Sequence, residues 1–91
     1  GVAEIVGRLL HGLGRDRQIL CVTHLPQVAA RADRHLVVRK RADREHAETS
    51  IEPVAGAARI EEVARMAGGV AITEQALAHA AALIAAADAG A

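Results

Sequence analysis

The residues best suited to chemistry surround His24, with Thr23 before it and Gln27 three positions later. An unbroken apolar run, residues 19–22, comes directly before them. Continuous rather than alternating hydrophobicity predicts a strand buried on both faces, as in a parallel sheet. Ligands of open α/β sheets bind beyond the carboxyl ends of the strands, so we expect His24 at a ligand-binding edge.

A helix is predicted immediately after His24, over residues 26–32, because proline is well placed in a first helical turn. The free backbone N–H groups at such a helix start favour an anion. A histidine there can donate a hydrogen bond to a phosphate oxygen or orient a water beside it. A strand-end histidine can equally bond a neighbouring carbonyl, so these residues alone leave a catalytic and a structural interpretation open.

Two other kinds of site are disfavoured by the sequence. Cys21 lies three residues before His24, but a thiol within a buried strand points into the core, which predicts an inert cysteine rather than a nucleophile. No zinc site is predicted, because the histidines show no i,i+4 pairing and no cysteine cluster. The histidines are His11, His24, His35, His46 and His79.

A basic stretch further along could contact DNA phosphates. Its cations are Arg39, Lys40, Arg41 and Arg44, and its interleaved acidic residues are Asp43, Glu45 and Glu48. Because no aromatic side chain is available to stack on bases, a solvated loop is the favoured interpretation. DNA binding stays open as an alternative.

The first element is predicted as an amphipathic helix ending near Gly14, where a glycine is a natural stop. Its apolar stripe consists of Val2, Ile5, Val6, Leu9, Leu10 and Leu13. A helix leading into a buried parallel strand is the second half of a βαβ unit. The first strand of that unit is not in this sequence, which predicts a fragment of a larger domain.

A hairpin and two helices should follow. Strands are expected at residues 36–38 and 49–54, joined by a loop at 39–48, with Pro53 placing the second strand at an edge. A third helix contains Ile60 and Val63 and stops at residues 68–69. Thr73 is a suitable N-cap for a last helix.

The packing of these last two helices can also be predicted from their patterns. Core positions of the last helix are Leu77, Ala81 and Ile84. The alanine-rich residues 85–91 should fray. A charged outer face of the third helix is expected from Arg59, Glu62 and Arg65.

Composition limits the class of protein. Ninety-one residues without Phe, Tyr or Trp can bury only a thin core. Eleven Lys and Arg balance eleven Asp and Glu, so net charge predicts no special attraction to nucleic acid or membrane. No apolar run approaches a membrane span, no secretory signal is present, and one lone cysteine fits a reducing cytoplasm. The start without methionine, within a helical pattern, predicts a truncated N-terminus.

Four blocks of the chain, in order, resemble the RecN family, SMC-like ATPases of bacterial double-strand-break repair. The sequence THLPQVAA at residues 23–30 is similar to the switch-histidine loop of ABC-type ATPases and to RecN in particular. Residues 2–7 resemble the segment after the Walker B motif and D-loop. Residues 59–69 resemble the family's distal helix, and residues 72–80 its closing helix.

The resemblance implies that residues 1–91 form the C-terminal, switch-histidine lobe of an α/β P-loop ATPase head. His24 would sense the ATP γ-phosphate and hold the attacking water, and Thr23 and Gln27 would shape the nucleotide-facing loop. ATP and Mg²⁺ would bind only in the intact head. The implied partners are the head's N-terminal lobe, a second head in an ATP-dependent dimer, and DNA through the intact protein, with no membrane. The implied location is the nucleoid of the bacterial cytoplasm.

The sequence departs from the family pattern in its missing motifs. It contains no G-x-x-x-x-G-K-[ST] phosphate loop, no acidic Walker B strand and no signature motif. The isolated chain is therefore predicted to be inactive as an ATPase. Two alternatives remain, a small DNA-binding module using the basic hairpin and an inactive structural remnant.

Overall fold

The chain combines four helices with one hairpin in the parts that the structure describes. The computed structural model describes residues 1–16, 18–68 and 71–89. The elements are, in order, α1 (Val2–Leu13), α2 (Pro26–Ala29), β1 (His35–Ala42), β2 (Ala47–Val54), α3 (Gly56–Gly68) and α4 (Glu74–Ala89). The predicted mixture of helix and sheet is confirmed. α1 has the predicted bounds, and α2 is shorter than predicted.

β1 and β2 form an antiparallel hairpin in which His35 lies opposite Val54 and Ala42 lies opposite Ala47. The predicted hairpin is confirmed, but its predicted ten-residue loop is wrong because strand pairing continues almost to the tip. Cross-strand pairs of opposite charge stabilise such a ladder. One example is the ion pair between Arg39 Nε and Glu52 Oε2, 3.5 Å apart.

The hairpin tip is closed by Asp43. Its Oδ1 accepts the backbone N–H groups of Glu45 and His46, at 2.9 and 2.7 Å. These two hydrogen bonds hold the pKa of the Asp43 carboxyl below its ordinary value. A side-chain turn of this kind lets the strands reverse over four residues.

The hydrophobic core lies between α3 and α4. Val63, Ala64 and Ala80 are buried there, and Leu77 and Ile84 pack against them. The predicted core role of the last helix is thus confirmed for Leu77 and Ile84, and Ala81 is half-buried.

The end of α3 and both ends of α4 can be compared with the predictions from the sequence. Thr73 Oγ1 accepts the N–H of Ala76 at 3.0 Å, which confirms the predicted N-cap. α3 ends at Gly68 as predicted, and Gly69 lies outside the described residues. The predicted fraying from residue 85 is wrong up to Ala89, because Ala87 is buried and alanine is the best helix former. Residues 90–91 lie outside the described part.

Residues 19–22 correct the main prediction about the sheet. They form no strand, and Leu20 and Val22 are 84% and 93% exposed. Hydrophobicity favours burial, but a strand also needs backbone hydrogen-bond partners, and β1 and β2 pair with each other in the only sheet of the described residues. The predicted parallel-sheet strand is therefore wrong for this chain. So is the buried Cys21, whose thiol is exposed.

α1 presents its apolar stripe outward. Val2 is 78% exposed and Leu9 is 63% exposed, whereas Gly7, on the opposite side, is the buried residue of this helix. Among the helices described, none has both the length and the apolar character needed to cross a membrane.

Candidate functional site

The three predicted site residues lie at the start of α2: Thr23 and His24 in the loop before it, and Gln27 as its second residue. Thr23 Oγ1 accepts the backbone N–H of Leu25 at 3.0 Å, which closes a tight turn around His24. Leu25 is extended, with φ −98° and ψ 119°, and Pro26 begins α2. The side chains of His24 and Gln27 are exposed to solvent. The loop thus presents an imidazole outward on a turn that Thr23 fixes.

α2 itself consists of one helical turn. Beyond Ala29 the chain continues with tighter bonds, from Arg31 N to Val28 O and from Ala32 N to Ala29 O, both 3.1 Å. One turn carries little macrodipole, so attraction for an anion at this loop rests on local N–H groups and on His24. A helix this short is also marginal alone, so its position depends on tertiary contacts.

α1 holds one side of α2 through Gly7. A Cβ at this position would lie 3.1 Å from Arg31 Cγ and 3.2 Å from the carbonyl oxygen of Gln27. The missing side chain therefore lets the two backbones approach closely. Near the end of α1, His11 Nε2 lies 3.3 Å from Asp33 Oδ1 and ties the helix to the segment after α2.

α3 holds α2 through Arg59. A single guanidinium nitrogen, Nη2, donates to the carbonyl oxygens of Ala29, Ala30 and Ala32, at 3.3, 3.1 and 2.8 Å. The last carbonyls of a helix have no partner within the helix. Ala29 O already accepts the N–H of Ala32, so Arg59 adds a second donor there and supplies a partner for the carbonyls of Ala30 and Ala32. Sequence reasoning missed this role, since no local pattern links Arg59 to residues about thirty positions earlier.

The predicted outward charged face of α3 is therefore wrong in two of its three members. Arg59 is half-buried, and Glu62 is 7% exposed. Arg65 is exposed, and both its Nε and its Nη2 donate to the Glu62 carboxylate. The i,i+3 spacing of Glu62 and Arg65 signalled the pair, but not its burial.

His35, at the base of the hairpin, lies near these charged groups of α3. Burial, and secondarily the positive charge of Arg59, lower the pKa of its imidazole, while Glu62 opposes the shift. Its Nδ1 is buried without a hydrogen-bond partner among the described residues. The hydrogen bond from Arg65 lowers the pKa of Glu62. The structure thus favours neutral His35 beside ionised Glu62.

Two other kinds of site were considered from the sequence, a metal site and a DNA-binding surface. Within residues 1–16, 18–68 and 71–89, no group of three or more His, Cys, Asp or Glu side chains is arranged to hold a metal ion. An open groove along the hairpin has a lining of mixed charge. Its residues are Arg39, Arg41, Glu48, Thr49, Ser50 and Glu52. A second open groove of the hairpin is lined by Arg39, Lys40, Arg41 and Arg65, so DNA binding stays an untested alternative.

Comparison with known proteins identifies the kind of chain that carries this loop. No family model matches it. Three curated relatives, each named DNA repair protein RecN, align with most of it. The protein from Xylella fastidiosa (strain Temecula1) is 48% identical over 81 residues, or 89% of this chain. That from Vibrio cholerae is 46% identical over 85 residues, or 93%, and that from Bacillus subtilis is 37% identical over 87 residues, or 96%.

The architecture, helices with a two-stranded antiparallel hairpin, is compatible with an α/β fragment. The chain belongs to the RecN family, and it corresponds to a C-terminal part of those proteins. It spans only 14–15% of the length of these three relatives.

Proposed function

We propose that this chain is the C-terminal part of an ATPase head in a RecN-like DNA-repair protein, with His24 as the residue that senses the ATP γ-phosphate. The observation that carries the proposal is the placement of His24. Its side chain is exposed, on a turn that Thr23 closes just before α2. It also lies within residues 23–30, one of the blocks that resemble RecN. Its role is to hold the attacking water and the terminal phosphate in line for hydrolysis.

The donors of the loop fit one side of a phosphate site. The His24 imidazole can donate to a γ-phosphate oxygen, and the exposed Gln27 amide can donate beside it. Thr23 already uses its hydroxyl oxygen to shape the turn, so it acts through loop geometry. When bound, Mg²⁺ supplies charge neutralisation of the phosphates. Its ligands would come from phosphate-loop and Walker B residues, motifs that these 91 residues do not contain.

Docking onto an N-terminal lobe completes the proposed head. The outward apolar stripe of α1 and the exposed residues 20–22 form the surface that this lobe covers. Burying apolar side chains of this kind contributes roughly 25 cal/mol per Å² removed from water. The completed head pairs with a second head in the presence of ATP and acts on DNA in the cytoplasm during double-strand-break repair and recombination.

The test is His24→Ala in the whole protein that carries this sequence. We expect nucleotide affinity to change little, because most phosphate contacts come from the phosphate loop and Mg²⁺. Turnover should fall about a hundredfold, the effect of losing one donor aimed at transition-state charge. The Michaelis constant should not rise, because the interaction is made mainly in the transition state.

His79→Ala is the matched control, since it removes another exposed histidine, on α4. It should leave turnover and melting temperature unchanged. If His24→Ala gives normal turnover in a normally stable protein, His24 has no place in the mechanism. If it lowers affinity, turnover and melting temperature together, its role is structural.

A further inference from the structure

The contact between Arg59 and α2 is more specific than a surface ion pair. Three backbone carbonyls converge on Nη2, which carries only two hydrogens, so at least one hydrogen is shared. All three acceptors lie at or just after the end of α2. Arg59 therefore fixes this end in space by geometry as well as by charge.

The C-terminal end of α2, which Arg59 holds, lies only a few residues from His24 along the chain. Only Leu25 separates His24 from Pro26, the first residue of α2, and α2 is four residues long. A displacement at Ala29 or Ala30 therefore passes directly to the loop. On the other side, α1 approaches α2 so closely at Gly7 that an added Cβ would lie 3.2 Å from Gln27 O. α2 is thus packed between α1 and the Arg59 contact, and a helix of one turn depends on such contacts for its position.

We propose that Arg59 is a positioning residue for His24: by binding the carbonyls of Ala29, Ala30 and Ala32, it couples α3 to the phosphate-sensing loop. This inference rests on the proposed function of His24. Phosphoryl transfer depends on alignment, and a displacement of about 1 Å can reduce the rate about a hundredfold. Loss of the clamp should therefore affect turnover far more than nucleotide binding.

Two substitutions distinguish the effect of the length of the Arg59 side chain from the effect of its positive charge. Arg59→Lys keeps the charge, but its ammonium nitrogen falls where Cζ lies, about 1.3 Å short of Nη2. Arg59→Gln removes both the charge and the reach. Arg8→Gln is the control, because Arg8 is an exposed arginine on α1 that binds only Glu4 among the partners described.

We expect Arg59→Gln in the whole protein to lower kcat by about ten- to a hundredfold, with KM and nucleotide affinity changed less than about twofold. Arg59→Lys should retain a larger share of kcat, and Arg8→Gln should match the unaltered protein. The backbone N–H groups of Val28, Ala29 and Ala30, which bond within the turn, should exchange with solvent faster in both Arg59 variants.

The outcomes separate this inference from the proposed function. Normal turnover of Arg59→Gln, while His24→Ala is impaired, overturns the positioning role alone. Normal turnover of His24→Ala overturns the proposed function, and the amide exchange then shows only whether Arg59 clamps α2. Equal losses of kcat, affinity and melting temperature in Arg59→Lys indicate a general structural role and also overturn the inference. Should Arg59→Gln fail to fold, Arg59→Lys decides the question.

Discussion

His35 is a residue whose protonation opposes the fold, because its surroundings lower the pKa of the imidazole. It is half-buried at the base of the hairpin, and Arg59 and Glu62 of α3 act on it with opposite signs. Because burial and Arg59 outweigh Glu62, the folded chain holds the imidazole neutral. Protonation would place a second cation beside Arg59, where the guanidinium already binds the end of α2.

This arrangement predicts a pH-dependent stability. The unfolded chain has His35 at its ordinary pKa of 6.5, and the folded chain has a lower value. As pH falls, the unfolded state binds the proton first. The stabilisation is therefore complete above about pH 6.5 and is lost as pH falls from there through the folded pKa. The Glu62 contribution is lost separately, below its ordinary value of 4.5.

Urea unfolding of the chain at several pH values measures this effect. His35→Gln should flatten the dependence below about pH 6.5, because no proton is then taken up at this position. His46→Gln, at the exposed hairpin tip, is the control and should keep the original slope. Identical slopes in all three proteins would show that His35 has the same pKa folded and unfolded.

At the level of elements, the contact between α1 and α2 depends on the absence of a side chain. In Gly7→Ala, the added Cβ would meet two backbone atoms, the Gln27 oxygen at 3.2 Å and the Val28 Cα at 3.4 Å. Gly12 lies in the same helix with nothing within 4 Å of an added Cβ. Gly12→Ala is thus a matched control for helix propensity.

We expect Gly12→Ala to stabilise the chain by up to about 1 kcal/mol, the difference in helix propensity between the two residues. Gly7→Ala should be less stable than Gly12→Ala by about 1–3 kcal/mol, the usual effect of forcing a methyl group into a packed contact. Denaturant midpoints measured on both variants give the comparison. Equal midpoints would show that α1 does not pack on α2 as described.

The elements that sequence reasoning predicted correctly are those defined by local patterns. The stripe of α1 and the Thr73 cap both depend on residues within a few positions of each other. The errors are non-local. Residues 19–22 have the composition of a buried strand, but no pattern within them supplies a neighbouring strand. Likewise, the charge of Arg59 predicted exposure, because its carbonyl partners lie far away in the sequence.

For the whole molecule, Cys21 reports on whether residues 19–22 are covered. Its thiol is exposed in this chain, so we expect a thiol reagent to react with the folded chain nearly as fast as with the chain in denaturant. In the whole protein, the proposed N-terminal lobe covers this segment and should slow the reaction at least tenfold, roughly one unit of protection on a logarithmic scale. Slow reaction in the folded 91-residue chain would contradict the exposed segment.

The thin core between α3 and α4 also determines how the chain responds to temperature. Its buried apolar side chains, among the residues described, are valines and alanines, while Leu9, Leu20 and Val22 already contact water. Unfolding raises heat capacity by about 0.45 cal/K/mol for each Å² of apolar surface newly exposed, and little remains to be exposed here. The stability of the chain should therefore vary only gently with temperature. Docking of the proposed N-terminal lobe onto α1 should carry a larger heat-capacity change, because it would bury the exposed apolar side chains of this helix.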